Sequence, residues 1–128
     1  KGMSENIRVV SIVDRYLEHS RILYFQNGGD SELYLSSADW MARNLDKRIE
    51  LLFPVLDKAA FKEIKSILDT YFEDTENALE LQAAGDWKKI EGKGGSVRAQ
   101  EILYKKYRRR YEAASNVQHE QFEVRRKD

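Results

Sequence analysis

Two short runs, Arg21-Ile22-Leu23-Tyr24-Phe25-Gln26 and Glu32-Leu33-Tyr34-Leu35-Ser36, flank the tetrapeptide Asn27-Gly28-Gly29-Asp30. Aliphatic and aromatic side chains in runs this short favour extended backbone. Asn and Gly tolerate positive φ, so the chain can reverse within a few residues and return alongside itself. The two runs are therefore expected to pair as antiparallel strands. An earlier β-branched run, Ile7-Arg8-Val9-Val10-Ser11-Ile12-Val13, predicts a mostly buried strand before them. Arg48 to Val55 predicts a fourth, with Pro54, the only proline, near its end. Asp39 to Asp46, between the third and fourth, is expected to be a short helical turn or loop.

From Asp57 the period changes. Phe61, Ile64, Leu68, Phe72, Thr75 and Leu79 recur every three or four residues, which predicts one long amphipathic helix over Asp57–Ala84 that ends near Gly85. Asp57 is a suitable N-cap, since its carboxylate can accept from the free amides of the first turn. Asp86 to Gly95 reads as an exposed loop. A second helix is expected over Ser96–Ala114, with Val97, Leu103, Tyr107 and Tyr111 on its inner side. Residues 1–114 then form one domain and 115–128 a charged tail. Strands followed by helices predict an α/β (α+β) fold, a mixed β-sheet packed by C-terminal helices.

Composition narrows the functional classes. The chain has 128 residues, enough for one domain with its own core. Although 34% of residues are charged, the formal net charge is zero, so no global field draws in nucleic acid or membrane and any anion site must be local. There is no cysteine, which removes disulfides and thiolate metal sites and suits a reducing compartment. No apolar run approaches the roughly 18–20 residues of a membrane-spanning helix. The opening residues lead at once into strand-like sequence, so the chain is expected to be part of something longer.

The residues with chemical potential gather around the first two turns. His19 stands two places before Arg21, at the start of a strand; Ser36, Ser37 and Asp39 follow the hairpin. Imidazole titrates near neutrality and can give or take a proton. The guanidinium groups of Arg21, Arg43 and Arg48 each offer a planar fork of donors to phosphate oxygens, and Ser37 can add a hydroxyl. Each has a plainer role open to it. The arginines can pair with Asp14, Asp39, Asp46 or Glu50, Ser37 can be a strand-end turn residue, and Asp39 can orient His19 or a backbone amide. Trp40, Tyr16, Tyr24 and Tyr34 read as packing residues. The basic cluster Lys105-Lys106-Tyr107-Arg108-Arg109-Arg110 spreads around a helix and reads as a solvated face, with polyanion binding the alternative. His119, in the polar tail, is not expected at a site. Lys93-Gly94-Gly95-Ser96 is too short for a Walker-type phosphate loop, and no set of side chains has metal-ligand spacing.

The order His19-x-Arg21, strand, turn, strand, Ser36-Ser37-x-Asp39 resembles a phospholipase D-type half-site, which reads His-x-Lys, strand, Asp, then Gly-Ser-x-Asn. Three positions depart from it: Arg21 replaces the lysine, Gln26 the aspartate and Asp39 the asparagine. A longer stretch, SIVDRYLEHSRILYFQNGGDSELYLSSADWMARNLDKRIELLFPV, resembles the C-terminal region of bacterial polyphosphate kinases of the type 1 family, near-continuously from Ile7 to Val55 and more thinly from Gly85.

That resemblance implies a phospholipase D-like domain from an ATP:polyphosphate phosphotransferase. In this family the terminal phosphate of ATP passes reversibly, with Mg2+, through a phosphohistidine to a growing polyphosphate chain, and two phospholipase-like domains build one site. The phosphorylated histidine belongs to the preceding domain, absent from this sequence, as do the magnesium-linked arginines and an adenine-stacking tyrosine. The resemblance gives His19 the catalytic acid–base and phosphate-binding part, with Arg48, Ser37, Arg43 and Arg21 as further ATP or phosphate contacts and no metal ligand in this segment. Its implied partners are ATP or ADP, inorganic polyphosphate, the preceding domain and further copies of the full-length chain. A cytoplasmic setting, with or without membrane association, is implied as well. Two other classes remain open: a phospholipase-like phosphodiesterase half, and a non-catalytic polyanion-binding module built on the basic helix.

Overall fold

The computed structural model describes residues 2–92 and 94–115, so the tail from 116 onward, with His119, lies outside the described residues. The hairpin forms where the Asn-Gly-Gly signal places it. β2 (Ile22–Phe25) and β3 (Glu32–Ser36) pair antiparallel with Ile22 opposite Leu35 and Phe25 opposite Glu32. The connection is a turn of 3-10 helix at Asn27–Gly29, in which Asn27 (φ 43°), Gly28 (φ 64°) and Gly29 (φ 116°) all occupy the left-handed half of φ space. α1 (Ala42–Lys47) follows, and β4 (Leu52–Pro54) then pairs antiparallel with β3. Pro54 falls on the outer strand of the β2-β3-β4 sheet, where a missing N–H costs no ladder bond.

A second three-stranded sheet, in the order β1-β5-β6, joins distant parts of the chain. β1 (Val10–Ile12) pairs antiparallel with β5 (Ala78–Leu81), Val10 opposite Glu80, and β5 pairs antiparallel with β6 (Trp87–Lys89). The α/β character stands, but the expected mixed sheet is replaced by two small antiparallel sheets. The first strand does not join β2–β4; it pairs with β5, a strand formed by residues that the helical stripe had claimed.

α2 (Lys58–Phe72) is capped as expected, with Asp57 accepting from Ala60 N at 2.7 Å. It is shorter than the apolar stripe suggested. The chain leaves the helix at Asp74, whose carboxylate accepts from Asn77 N (2.8 Å) and Ala78 N (3.0 Å) and so fixes a turn in place of further helix. Thr75 and Leu79 therefore lie outside it, and Leu79 is on β5. Gly85 (φ 90°) closes the β5–β6 turn rather than a helix, through Gly85 N to Gln82 O at 2.9 Å. Part of the expected loop from Asp86 becomes β6.

α3 (Ala99–Ser115) starts later than the sequence suggested. Its first amide, Ala99 N, donates to the other oxygen of Asp74 at 2.7 Å. Val97 precedes the helix and bonds Thr75 instead. Leu103 is buried on the inner face, whereas Tyr111 is 74% exposed and not part of it. β1 is only half-buried, and Ile7 and Val13 at the ends of its run are exposed.

Among the described residues the buried apolar set is small: Leu33, Ala38, Ala78, Ala99 and Leu103. The polar residues Asn44, Asp74 and Gln100 are buried with them. The fold thus depends on satisfied polar ties as well as on apolar area. α2 covers the hairpin sheet through the edge-on pair Tyr24–Phe61, with ring centroids 6.3 Å apart. It reaches α3 through Glu63, which accepts from Tyr107 Oη at 2.6 Å and pairs with Lys106 at 2.9 Å.

Candidate functional site

His19 lies in the irregular segment between β1 and β2, with its side chain exposed. It lines a cleft of about 420 Å3 together with Arg21 and Ser37. The remaining wall is largely apolar, from Ile22, Leu35, Leu51, Phe53, Ile64 and Ile67. The pairing of β2 with β3 sets this arrangement: Ser36 N donates to Arg21 O at 3.0 Å, so the end of β3 returns beside the start of β2 and brings Ser37 to the His19 side.

Arg21 is anchored by Asp39. Its Nε donates to Asp39 Oδ1 at 2.8 Å and its Nη2 to the same oxygen. This contact holds the Asp39 carboxyl below the usual carboxylate range, against the opposing effect of burial; Asn44 and His19 act in the same lowering direction. Asp39 is thus an ion-pair partner of Arg21 lying within electrostatic reach of the imidazole. The Nη1 end of Arg21 is outside that contact.

Ser37 Oγ donates to Glu50 and accepts from Leu51 N at 2.9 Å, the contacts of a residue that fastens β3 to the approach of β4. Arg48 lies beyond the cleft wall, 3.4 Å from both Asn44 Oδ1 and Glu50 Oε1. Arg43 is exposed on α1 and does not line the cleft. The structure therefore brings His19, Arg21 and Ser37 together and leaves Arg43 and Arg48 one element away.

Two residues that the sequence did not single out reach this segment. Tyr71, at the end of α2, lines a second cleft together with Glu18 and Ser20 on either side of His19, and burial together with Glu18 pushes its phenol well above the usual range. Gln100, in the first turn of α3, bonds the backbone of Tyr16. Neither has a motif around it; both act from distant elements, Gln100 buried and Tyr71 half-buried.

Among the described residues no three His, Cys, Asp or Glu side chains converge to hold a metal ion. The cleft offers imidazole, guanidinium and hydroxyl groups but no carboxylate in its lining, and the carboxylates beside it, Asp39 and Glu50, are committed to Arg21 and Ser37. That set does not fit Mg2+, which favours an octahedron of oxygens. Among the described residues no helix is long and apolar enough to cross a membrane. The basic face of α3 is partly paired: Lys105 with Glu101 (3.0 Å), Arg108 with Glu112 (2.8 Å), and Lys106 and Arg110 both with the single carboxylate of Glu63 (2.9 Å).

An α/β domain whose exposed histidine shares a cleft with an arginine and a serine is a small anion-compatible module, and comparison with known proteins says which. Residues 1–100 match the family described as Polyphosphate kinase C-terminal domain 2. The chain is 46% identical to a polyphosphate kinase of Rhodopirellula baltica, over 99% of this chain and 15% of that protein. It is 54% identical to the polyphosphate kinase of Pseudomonas aeruginosa over 73% of this chain and 14% of that one. For the Escherichia coli polyphosphate kinase the figures are 47%, 81% and 15%. A crystal structure of polyphosphate kinase from Porphyromonas gingivalis superposes with a TM-score of 0.76 at 42% identity, covering 85% of this chain and 17% of that one. The chain belongs to the polyphosphate kinase C-terminal domain 2 family. It spans about 15% of the length of the curated relatives it matches.

Proposed function

We propose that this chain is one half of the active site of an ATP:polyphosphate phosphotransferase, with a phospholipase D-like architecture. The carrying observation is the exposed His19 in a cleft shared with Arg21 and Ser37, within a family whose long relatives are named polyphosphate kinase. The nucleophilic histidine that takes up the γ-phosphate of ATP belongs to the preceding domain. Mg2+ travels with the nucleotide and is held mainly by that domain, since the residues here do not fit it. The whole protein acts on ATP and inorganic polyphosphate as a cytoplasmic homo-oligomer.

Phosphoryl transfer depends on positioning and charge stabilisation. His19 gives a proton to the departing oxygen in one direction and takes it back in the other. Arg21, oriented by Asp39, directs its remaining donors at phosphate oxygens. Ser37 adds a hydroxyl at the cleft edge, and Arg48 and Arg43 serve as outer contacts along the path of the polyphosphate chain.

In the full-length enzyme, His19→Ala should lower turnover by roughly 10²–10⁴-fold, the usual contribution of a positioned acid–base group, with an unchanged melting temperature. His19→Gln separates the two jobs, since glutamine hydrogen-bonds but does not shuttle a proton. Near-normal turnover with glutamine would confine His19 to phosphate binding, and full activity in both variants would remove it from the site. The chain by itself should form no stable phosphohistidine with ATP and Mg2+, because covalent transfer needs the nucleophile of the other domain.

A further inference from the structure

His19 is exposed, so its ring inherits its position from the backbone on either side. Among the described residues, positions 14–20 belong to no strand or helix and make no backbone–backbone hydrogen bond. Side chains from elsewhere supply the constraint. Gln100, only 4% exposed, meets Tyr16 as a strand would: its Nε2 donates to Tyr16 O and its Oε1 accepts from Tyr16 N, both at 2.7 Å. The same Nε2 lies 3.2 Å from Glu18 Oε1, immediately before His19. A primary amide carries a donor and an acceptor side by side, so it can satisfy both backbone groups of one residue; a carboxylate or an alkyl chain of the same length cannot. Arg98, two residues earlier, holds the start of the segment through a two-pronged contact with Asp14 at 3.0 and 2.6 Å.

We propose that Gln100 is a positioning residue for His19, fixing the Tyr16–Glu18 backbone so that the imidazole meets the phosphate at a productive distance. The inference rests on the assignment of His19 given above. Gln100 hydrogen-bonds Tyr16 and Glu18 and does not line the cleft, so its effect on chemistry passes through the segment. A displacement of about 1 Å at a reacting group can cost as much as 10²-fold in rate. The buried amide therefore couples the N-terminus of α3 to the site across 84 positions of sequence.

The test uses the full-length enzyme with Gln100→Ala and Gln100→Met, each made alone and on a His19→Ala background. Methionine keeps the length and bulk of the side chain but removes both bonds to Tyr16. We expect either variant to lower kcat by roughly 10–100-fold, while KM for ATP stays within about 3-fold. On the His19→Ala background the same change should cost less than about 2-fold, because the two residues act as one unit. Equal losses on both backgrounds, or unchanged kcat in Gln100→Met, would overturn the proposal. So would loss of cooperative melting in both variants, which would give Gln100 to the fold alone. Full turnover in His19→Ala by itself would instead overturn the assignment of His19, whatever Gln100 does.

Discussion

In the β2-β3-β4 sheet, neighbours in space are close in sequence: Ile22 faces Leu35 and Ser36 faces Leu52, in strand order along the chain. In the segment carrying His19, Asp14 and Tyr16 are held by Arg98 and Gln100, each contact 84 positions apart. The first region is closed by short loops and regular ladders. The second is closed by a few buried side-chain bonds across most of the domain, where ordering the chain costs more entropy. Half of the cleft thus rests on local pairing and half on the junction of α2, β5 and α3. The two halves should fail separately.

The largest effect is expected at Asp74, which ties that junction together while fully buried. Asp74→Ala leaves the amides of Asn77, Ala78 and Ala99 without their acceptor. The loss should be about 4 kcal/mol, from several unsatisfied buried donors. Denaturant unfolding would measure it, and amide exchange should rise first at Ala78 and Ala99 while the hairpin stays protected.

Leu33→Ala tests the other region. Leu33 is 1% exposed in the middle strand of the hairpin sheet, and truncation should cost about 3 kcal/mol, transfer and cavity terms together. Its exchange pattern should be the reverse, with β2 and β3 opening before the N-terminus of α3. Matching patterns in the two variants would mean that the regions are one cooperative unit. At the hairpin itself, Gly29→Ala places a side chain at φ 116°, at a cost of about 1 kcal/mol.

Acid separates the regions without a cavity. Its hydrogen bond with Arg98 lowers the Asp14 carboxyl to about 2, against an opposing effect of burial. A depressed folded-state pKa means stability that is fully present above the ordinary carboxylate range and lost as pH falls through about 2. Glu63, held at about 2 by Tyr107 and Lys106, adds to the same slope. In Arg98→Met the Glu63 part should persist and the Asp14 part vanish, so the melting temperature should fall less steeply between roughly pH 4 and pH 2. An unchanged slope would show that this tie contributes nothing to the fold.

The same contrast explains what the sequence revealed. The hairpin, the Asp57 cap and the placing of Ser37 beside His19 were legible because their signals are local: turn residues between apolar runs, a capping carboxylate, and strands whose register brings their ends together; the sequence had grouped Arg48 with them, and Arg21 lines that cleft instead. The stripe through Phe72, Thr75 and Leu79 misled because spacing alone cannot show that Asp74 captures two following amides and ends the helix. The Asp74-Thr75-Glu76-Asn77 cluster, rich in turn formers, was the available signal. β6, three residues long, carries no period of its own, and the cap of α3 comes from a residue 25 positions away. Arg48 looked close to the site because its strand was expected to begin there; the strand begins at Leu52 instead. Gln100 and Tyr71 left no trace, since their meaning depends on partners across the fold.

The central claim is that phosphate is met at His19 and not at the basic helix. The most direct measurement is a titration of the chain with inorganic tripolyphosphate, followed by NMR in wild type and His19→Ala. The account predicts shifts at His19, Arg21 and Ser37, and binding that weakens clearly in the variant. Shifts confined to Lys105–Arg110, with equal affinity in both proteins, would contradict it and make the chain a polyanion-binding module.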